Sequence, residues 1–143
     1  MKINSIKKGK RFELDIAHFL TDKLNVKWNR VPMSGAFATI NKSEDPRFSG
    51  DVFTEDEFYK DLVIECKSYA TMEVNDLFLP KSKFYKWINQ ADTESKGKDW
   101  ILFIKINHKG VYMLSNRWTM TFSTLAEGKP TIMVDKNLFV KLK

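Results

Sequence analysis

Apolar residues along this 143-residue chain change their spacing three times, and that alternation limits the fold more than any other feature. From Asn4/Ser5 to about Leu24 the spacing is helical. Phe12, Ile16, Phe19 and Lys23 make one stripe, and Glu13, Ala17, Leu20 and Leu24 the next. Asn4 or Ser5 is a suitable N-cap. Extended runs follow at Val26–Val31, Asp51–Thr54 and Leu62–Lys67, the last rich in strand formers. Helical spacing returns over Lys81–Lys96, with Phe84, Trp87, Ile88 and Ala91 on one side. Trp100–Ile106 and Val111–Leu114 then flank Asn107-His108-Lys109-Gly110 as a hairpin, and Ile132–Val134 and Leu138–Leu142 are weaker strands. Pro32–Gly50 reads as a long polar loop and Glu55–Asp61 as an acidic turn. Helix, strands, helix, strands, in a chain of one-domain length, predicts an α+β or α/β domain with a mixed central sheet.

Composition removes several classes of protein. An apolar fraction of 43% with 13% aromatics excludes intrinsic disorder. The longest apolar runs, such as Trp100–Ile104, fall far short of a bilayer span. The start, MKINSIKKGKRFELD, has no apolar h-region, so no signal peptide is expected. Cys66 is the single cysteine, which excludes an intrachain disulfide and points to a reducing compartment such as the cytoplasm. The net charge is +6, and Lys2, Lys7, Lys8, Lys10 and Arg11 lie in the first eleven residues with no acid among them. Such a basic end favours a polyanion partner, nucleic acid before an anionic membrane, with a merely solubilising surface as the alternative.

The chemistry concentrates in Leu62-Val63-Ile64-Glu65-Cys66-Lys67. Side chains alternate along a strand, so Glu65 and Lys67 share one face while Ile64 and Cys66 take the other. Asp51 lies one short hairpin upstream, giving D-x13-E-x-K. Two carboxylates from adjacent strands suit a hard cation such as Mg²⁺. Such a cation activates water and stabilises charge at a phosphate, beside which Lys67 favours the anionic transition state. The E-x-K tripeptide also occurs at Glu94-Ser95-Lys96 and Glu127-Gly128-Lys129, but the first copy alone follows an apolar strand with an Asp one hairpin earlier. A structural ion-pair cluster is the competing explanation.

Three further features bear on the same chemistry. Glu13 sits on the helical face of Ala17 and Leu20, at the core edge. Arg30-Val31-Pro32-Met33-Ser34-Gly35 follows a strand and offers a guanidinium, a hydroxyl and a glycine, all suited to phosphate. Gln90 is read as the polar residue among core positions of the second helix. Cys66 reads as a core thiol rather than a nucleophile, and isolated His18 and His108 exclude a zinc site.

In this order and spacing the chain resembles the PD-(D/E)xK nuclease superfamily, and within it the archaeal-type Holliday junction resolvases and their phage relatives. The resemblance rests on Lys8-Gly9 with Glu13 four residues on, the R-x-P-x-S-G run from Arg30 to Gly35, Asp51, Glu65-x-Lys67 and Gln90. It implies one α/β nuclease domain over residues 1–143, restriction-endonuclease-like, with a mixed sheet flanked by helices. It implies a Mg²⁺-dependent endonuclease, with Mn²⁺ substituting, acting as a homodimer on four-way junctions. The implied catalytic set is Glu13, Ser34, Asp51, Glu65, Lys67 and Gln90. Asp51, Glu65, the Cys66 carbonyl and Glu13 are the implied metal ligands. Lys7, Lys8, Lys10, Arg11, Arg30, Ser34, Lys81 and Lys83 are the expected contacts to DNA, with Lys86 beside them. A flap, mismatch or restriction endonuclease is the nearest rival, and a non-catalytic nucleic-acid-binding module the rival from another class. A short Lys-rich resolvase suits a virus or plasmid as well as a cell, and a virus-encoded one would act in the host cytoplasm.

Overall fold

The first apolar stripe becomes α1 (Lys2–Leu24) in the computed structural model, which describes residues 2–32, 50–71, 73, 79 and 81–143, with the side chains of α1 from Lys8 onward. Asn25 ends the helix in the left-handed region (φ 61°), its N–H bonded to Thr21 O at 3.0 Å. The chain continues through β1 (Asn29–Arg30), β2 (Val52–Phe53), β3 (Val63–Tyr69) and α2 (Lys83–Ser95). It closes with β4 (Trp100–Ile106), β5 (Gly110–Ser115), α3 (Met120–Ala126), β6 (Thr131–Val134) and β7 (Asn137–Lys141).

The described strands form a seven-stranded sheet in the order β1-β2-β3-β4-β5-β7-β6. β3 and β4 run parallel, in register from Val63↔Trp100 to Tyr69↔Ile106, and every other neighbouring pair is antiparallel. The parallel pair needs a crossover, and α2 supplies it. The mixed sheet and its helices match the expected α/β, restriction-endonuclease-like class.

Two apolar cores sandwich the sheet. Phe12, Ile16, Leu20 and Leu24 of α1 pack with Phe122 and Leu125 of α3 against Ile64, Ile101 and Phe103. On the other face, Phe84, Ile88 and Ala91 of α2 pack against Val63, Leu102 and Ile104. β4 therefore meets apolar side chains on both faces, which explains its unbroken run Trp-Ile-Leu-Phe-Ile. Gly110 opens β5 at φ 109°, and an added Cβ there would lie 1.9 Å from Lys143 O.

α1 begins at Lys2, ahead of the expected caps Asn4 and Ser5, and two further elements differ from the sequence expectation. The strand anticipated over Val26–Val31 shrinks to Asn29–Arg30, because Trp28 turns into the core with its backbone N–H held by Thr21 Oγ1 at 2.9 Å. The unanticipated α3 starts at Thr119, whose hydroxyl accepts Phe122 N–H at 3.0 Å and so replaces a missing intrahelical partner. Among the described residues, no helix is long and apolar enough to cross a membrane.

Candidate active site

β2 is short, and among the described residues this leaves the edge of β3 beyond Ile64 without a strand partner. The two strands pair at Val52↔Ile64, so from Glu65 to Tyr69 the described strand partner of β3 is β4 alone. Asp51 fills the first vacated place. Its backbone N–H bonds Ile64 O at 2.7 Å, and its Oδ2 accepts Cys66 N–H at 2.8 Å. The side chain thus satisfies a strand N–H that the missing ladder leaves over. Gly50 permits the approach, since a Cβ there would lie 2.3 Å from Ile64 O. On the other side, Asp51 O accepts Val31 N–H at 2.9 Å, tying the end of β1 to the same residue.

Within an extended strand, the N–H and C=O of one residue leave by the same edge. Ile64 O and Cys66 N–H both reach Asp51, while Val63 N–H turns the other way to Asp99 O. The Cys66 carbonyl consequently opens onto the edge that Asp51 occupies. Glu65 and Asp51 are both buried, at 4% and 8% exposure, whereas Lys67 is half-buried. Oε1 of Glu65 is buried and accepts no hydrogen bond, although the residue has other interactions.

Glu13 approaches from α1. Its Oε2 accepts Arg30 Nε–H at 2.9 Å in a pair whose side chains are 14% and 24% exposed. The Cys66 thiol lies within electrostatic reach of these groups. Burial pushes its pKa well above the usual range, Asp51, Glu13 and Glu65 push it further in that order, and Lys67 opposes them. Charged side chains from α1, the start of β2 and β3 therefore share one neighbourhood. Cys66 itself packs its side chain against the α1-side core, as alternation along β3 requires.

Gln90 is exposed on α2 and donates to Glu94 Oε1 at 3.0 Å. The core placement expected of it is corrected here: the buried stripe of α2 runs through Phe84, Ile88, Ala91 and Ser95, which leaves position 90 facing outward. Lys8, Lys10 and Arg11 are exposed along α1, and Lys81 and Lys86 are exposed at the start of α2. Lys83 is exposed too, with its ammonium 4.2 Å above the Tyr69 ring and donating to that hydroxyl. Ser34 and the Lys7 side chain lie outside the described residues. The Glu13–Arg30 contact joins residues picked separately, and nothing in their spacing announces it.

The hard oxygen donors available to a divalent cation here are the buried carboxylates of Asp51 and Glu65 and the Cys66 carbonyl. Among the described residues, no group of three or more His, Cys, Asp or Glu side chains is arranged to hold a metal ion. Two carboxylates of this kind would leave the remaining positions around a cation to backbone oxygen and water, and Glu13 is paired with Arg30.

A mixed sheet carrying Asp and E-x-K at an opened strand edge defines a nuclease class, the PD-(D/E)xK superfamily. Residues 4–141 match the family described as "Phage putative PDDEXK endonuclease", and the chain belongs to that family. No curated protein and no solved structure matches the chain. The protein is accordingly a nuclease, of a superfamily that generally works with divalent metals.

Proposed function

We propose that this chain is one nuclease domain that cuts four-way DNA junctions in the cytoplasm by paired, symmetric phosphodiester hydrolysis, as a homodimer with Mg²⁺. The observation that carries the site is the bond from Cys66 N–H to Asp51 Oδ2, because it brings the Asp51 carboxylate against the E-x-K segment of β3. Junction choice rests on the likeness of the Lys8-Gly9, Glu13, Arg30-to-Gly35 and Asp51/Glu65/Lys67 pattern to junction resolvases.

Asp51, Glu65 and the Cys66 carbonyl are the residues that would hold the cation. When bound, it supplies Lewis acidity at a phosphate oxygen and lowers the pKa of water. Lys67, on the same face of β3 as Glu65, orients the attacking water and offsets charge developing on the phosphate. Arg30 and Ser34 contact phosphate near the cut. Lys7, Lys8, Lys10 and Arg11, with Lys81 and Lys83, follow the flanking backbone without reading bases. A two-fold pair of such sites makes symmetric cuts on a two-fold substrate.

The test is nicking of a synthetic four-way junction by wild type and Asp51→Asn. Asparagine retains an oxygen for Cys66 N–H, so the variant keeps its fold. Wild type should give paired cuts with Mg²⁺ or Mn²⁺, and the variant none. Equal cutting of linear duplex would assign the protein to another endonuclease type. Binding without cutting under all metal conditions would make it a nucleic-acid-binding module.

A further inference from the structure

We infer that Glu13 is a positioning residue: it holds the Arg30 guanidinium by Nε so that the outer edge of that group receives a nucleic-acid backbone phosphate beside Asp51. The inference deepens the nuclease reading and rests on it for its substrate. Arg30 Nε donates to Glu13 Oε2 at 2.9 Å, and Nη1 and Nη2 have no partner among the described residues. Those two nitrogens form the edge that grips a phosphate bidentately. A partly desolvated guanidinium held at one corner by a carboxylate is pre-aimed, so less side-chain freedom is lost when the anion arrives.

The surroundings fit an anion. Arg30 lines a shallow cleft with Lys10, Arg11, Leu14 and Asp15, three cations against one acid. The backbone fixes how far this cleft can move from the carboxylates. Arg30 pairs with Val52 across β1 and β2, and Val31 N–H bonds Asp51 O at 2.9 Å. A phosphate seated on Arg30 is thereby registered against Asp51 through backbone hydrogen bonds rather than through a flexible loop. This gives Glu13 a task other than the metal ligation expected from the sequence.

Wild type, Glu13→Gln, Arg30→Ala and the double variant separate the two roles. Mn²⁺ affinity of the DNA-free proteins is read by electron paramagnetic resonance, and kcat and KM on the cleaved substrate. Duplex binding in EDTA is read against salt. Glu13→Gln should keep wild-type Mn²⁺ affinity and lower kcat about tenfold with little change in KM, as supporting residues behind a functional group do. In the double variant it should add nothing to the Arg30→Ala loss. Arg30→Ala should reduce the salt slope by about one phosphate contact.

A tenfold or greater fall in Mn²⁺ affinity in Glu13→Gln, or multiplying losses in the double variant, would overturn the inference. An unchanged salt slope in Arg30→Ala would do the same, whether or not wild type cuts. Absence of any cutting by wild type, with the slope change present, would overturn the nuclease reading and leave the phosphate role of Arg30 standing.

Discussion

The two sides of the sheet are built to opposite rules. From β4 onward, β4, β5 and β7 are five to seven residues long and regularly paired, with Trp100, Leu102, Phe103 and Ile104 wholly enclosed and only the uncharged Ser115 and Asn137 as buried polar residues of these strands. From β3 outward, β1 and β2 are two residues each, and the buried side chains include Asp51, Thr54 and Glu65. Regular pairing satisfies backbone groups but leaves nothing over for chemistry. Among the described residues, the short strands leave backbone groups of β3 without a strand partner, and the Asp51 carboxylate takes one of them. On the proposed mechanism reactivity belongs to the second region and stability to the first, with β3 shared between them.

The sharpest way to break this division is Glu65→Gln. Cutting should fall roughly 10³-fold, equivalent to about 4 kcal/mol of transition-state stabilisation, while the melting temperature stays near that of wild type. A parallel collapse of folding would make Glu65 a structural residue and erase the contrast. Next is Leu102→Ala in β4, expected to cost about 2–5 kcal/mol of stability. The fraction that remains folded should turn over at the wild-type rate, as denaturant titration beside active-site-normalised kinetics will show.

Gly50→Ala sharpens the boundary between the regions. The added methyl meets Ile64 O, so β3 or the Asp51 segment must shift, at roughly 1–3 kcal/mol for overpacking. Cutting should drop further than the loss of folded protein explains, because the shift moves Asp51 from Cys66 N–H. Equal losses in the two assays would show that the approach at Gly50 serves the fold alone.

The smallest effect lies on the α1–α3 surface, away from the carboxylates. Lys23 pairs with Glu127, which raises the lysine pKa and lowers that of the glutamate, the side-chain hydrogen bond being the leading cause for both. A depressed folded-state carboxylate contributes stability above its unfolded pKa and loses it as pH falls through the folded value. The raised lysine contributes below its unfolded pKa and loses that as pH rises through its folded one. Lys23→Ala should therefore remove a slight acid-side dependence of the melting temperature and leave cutting unchanged. These side chains are partly exposed, so the effect will also fade with salt.

Much of the architecture was legible because period and burial agree. The α1 stripe at Phe12, Ile16, Ala17, Leu20 and Leu24 and the β4 run are patterns that one hydrophobic core imposes on sequence. The short α3 escaped because seven residues carry barely two turns of pattern, and its clearest signal is the Thr119 cap. Gln90 was misplaced for the reverse reason: proximity to Ile88 and Ala91 along the chain is not proximity around the helix. At the site, D-x13-E-x-K located the carboxylates. The Glu13–Arg30 pair is a tertiary contact between α1 and β1, and local spacing holds no trace of it.

Titration of the DNA-free protein with Mn²⁺, for wild type beside Asp51→Asn and Glu65→Gln, tests most directly whether two carboxylates brought together at an opened strand edge hold a cation. The account predicts one site per chain in wild type, weakened about tenfold or more by either substitution in a protein that remains folded. Undiminished Mn²⁺ affinity in both variants would contradict it.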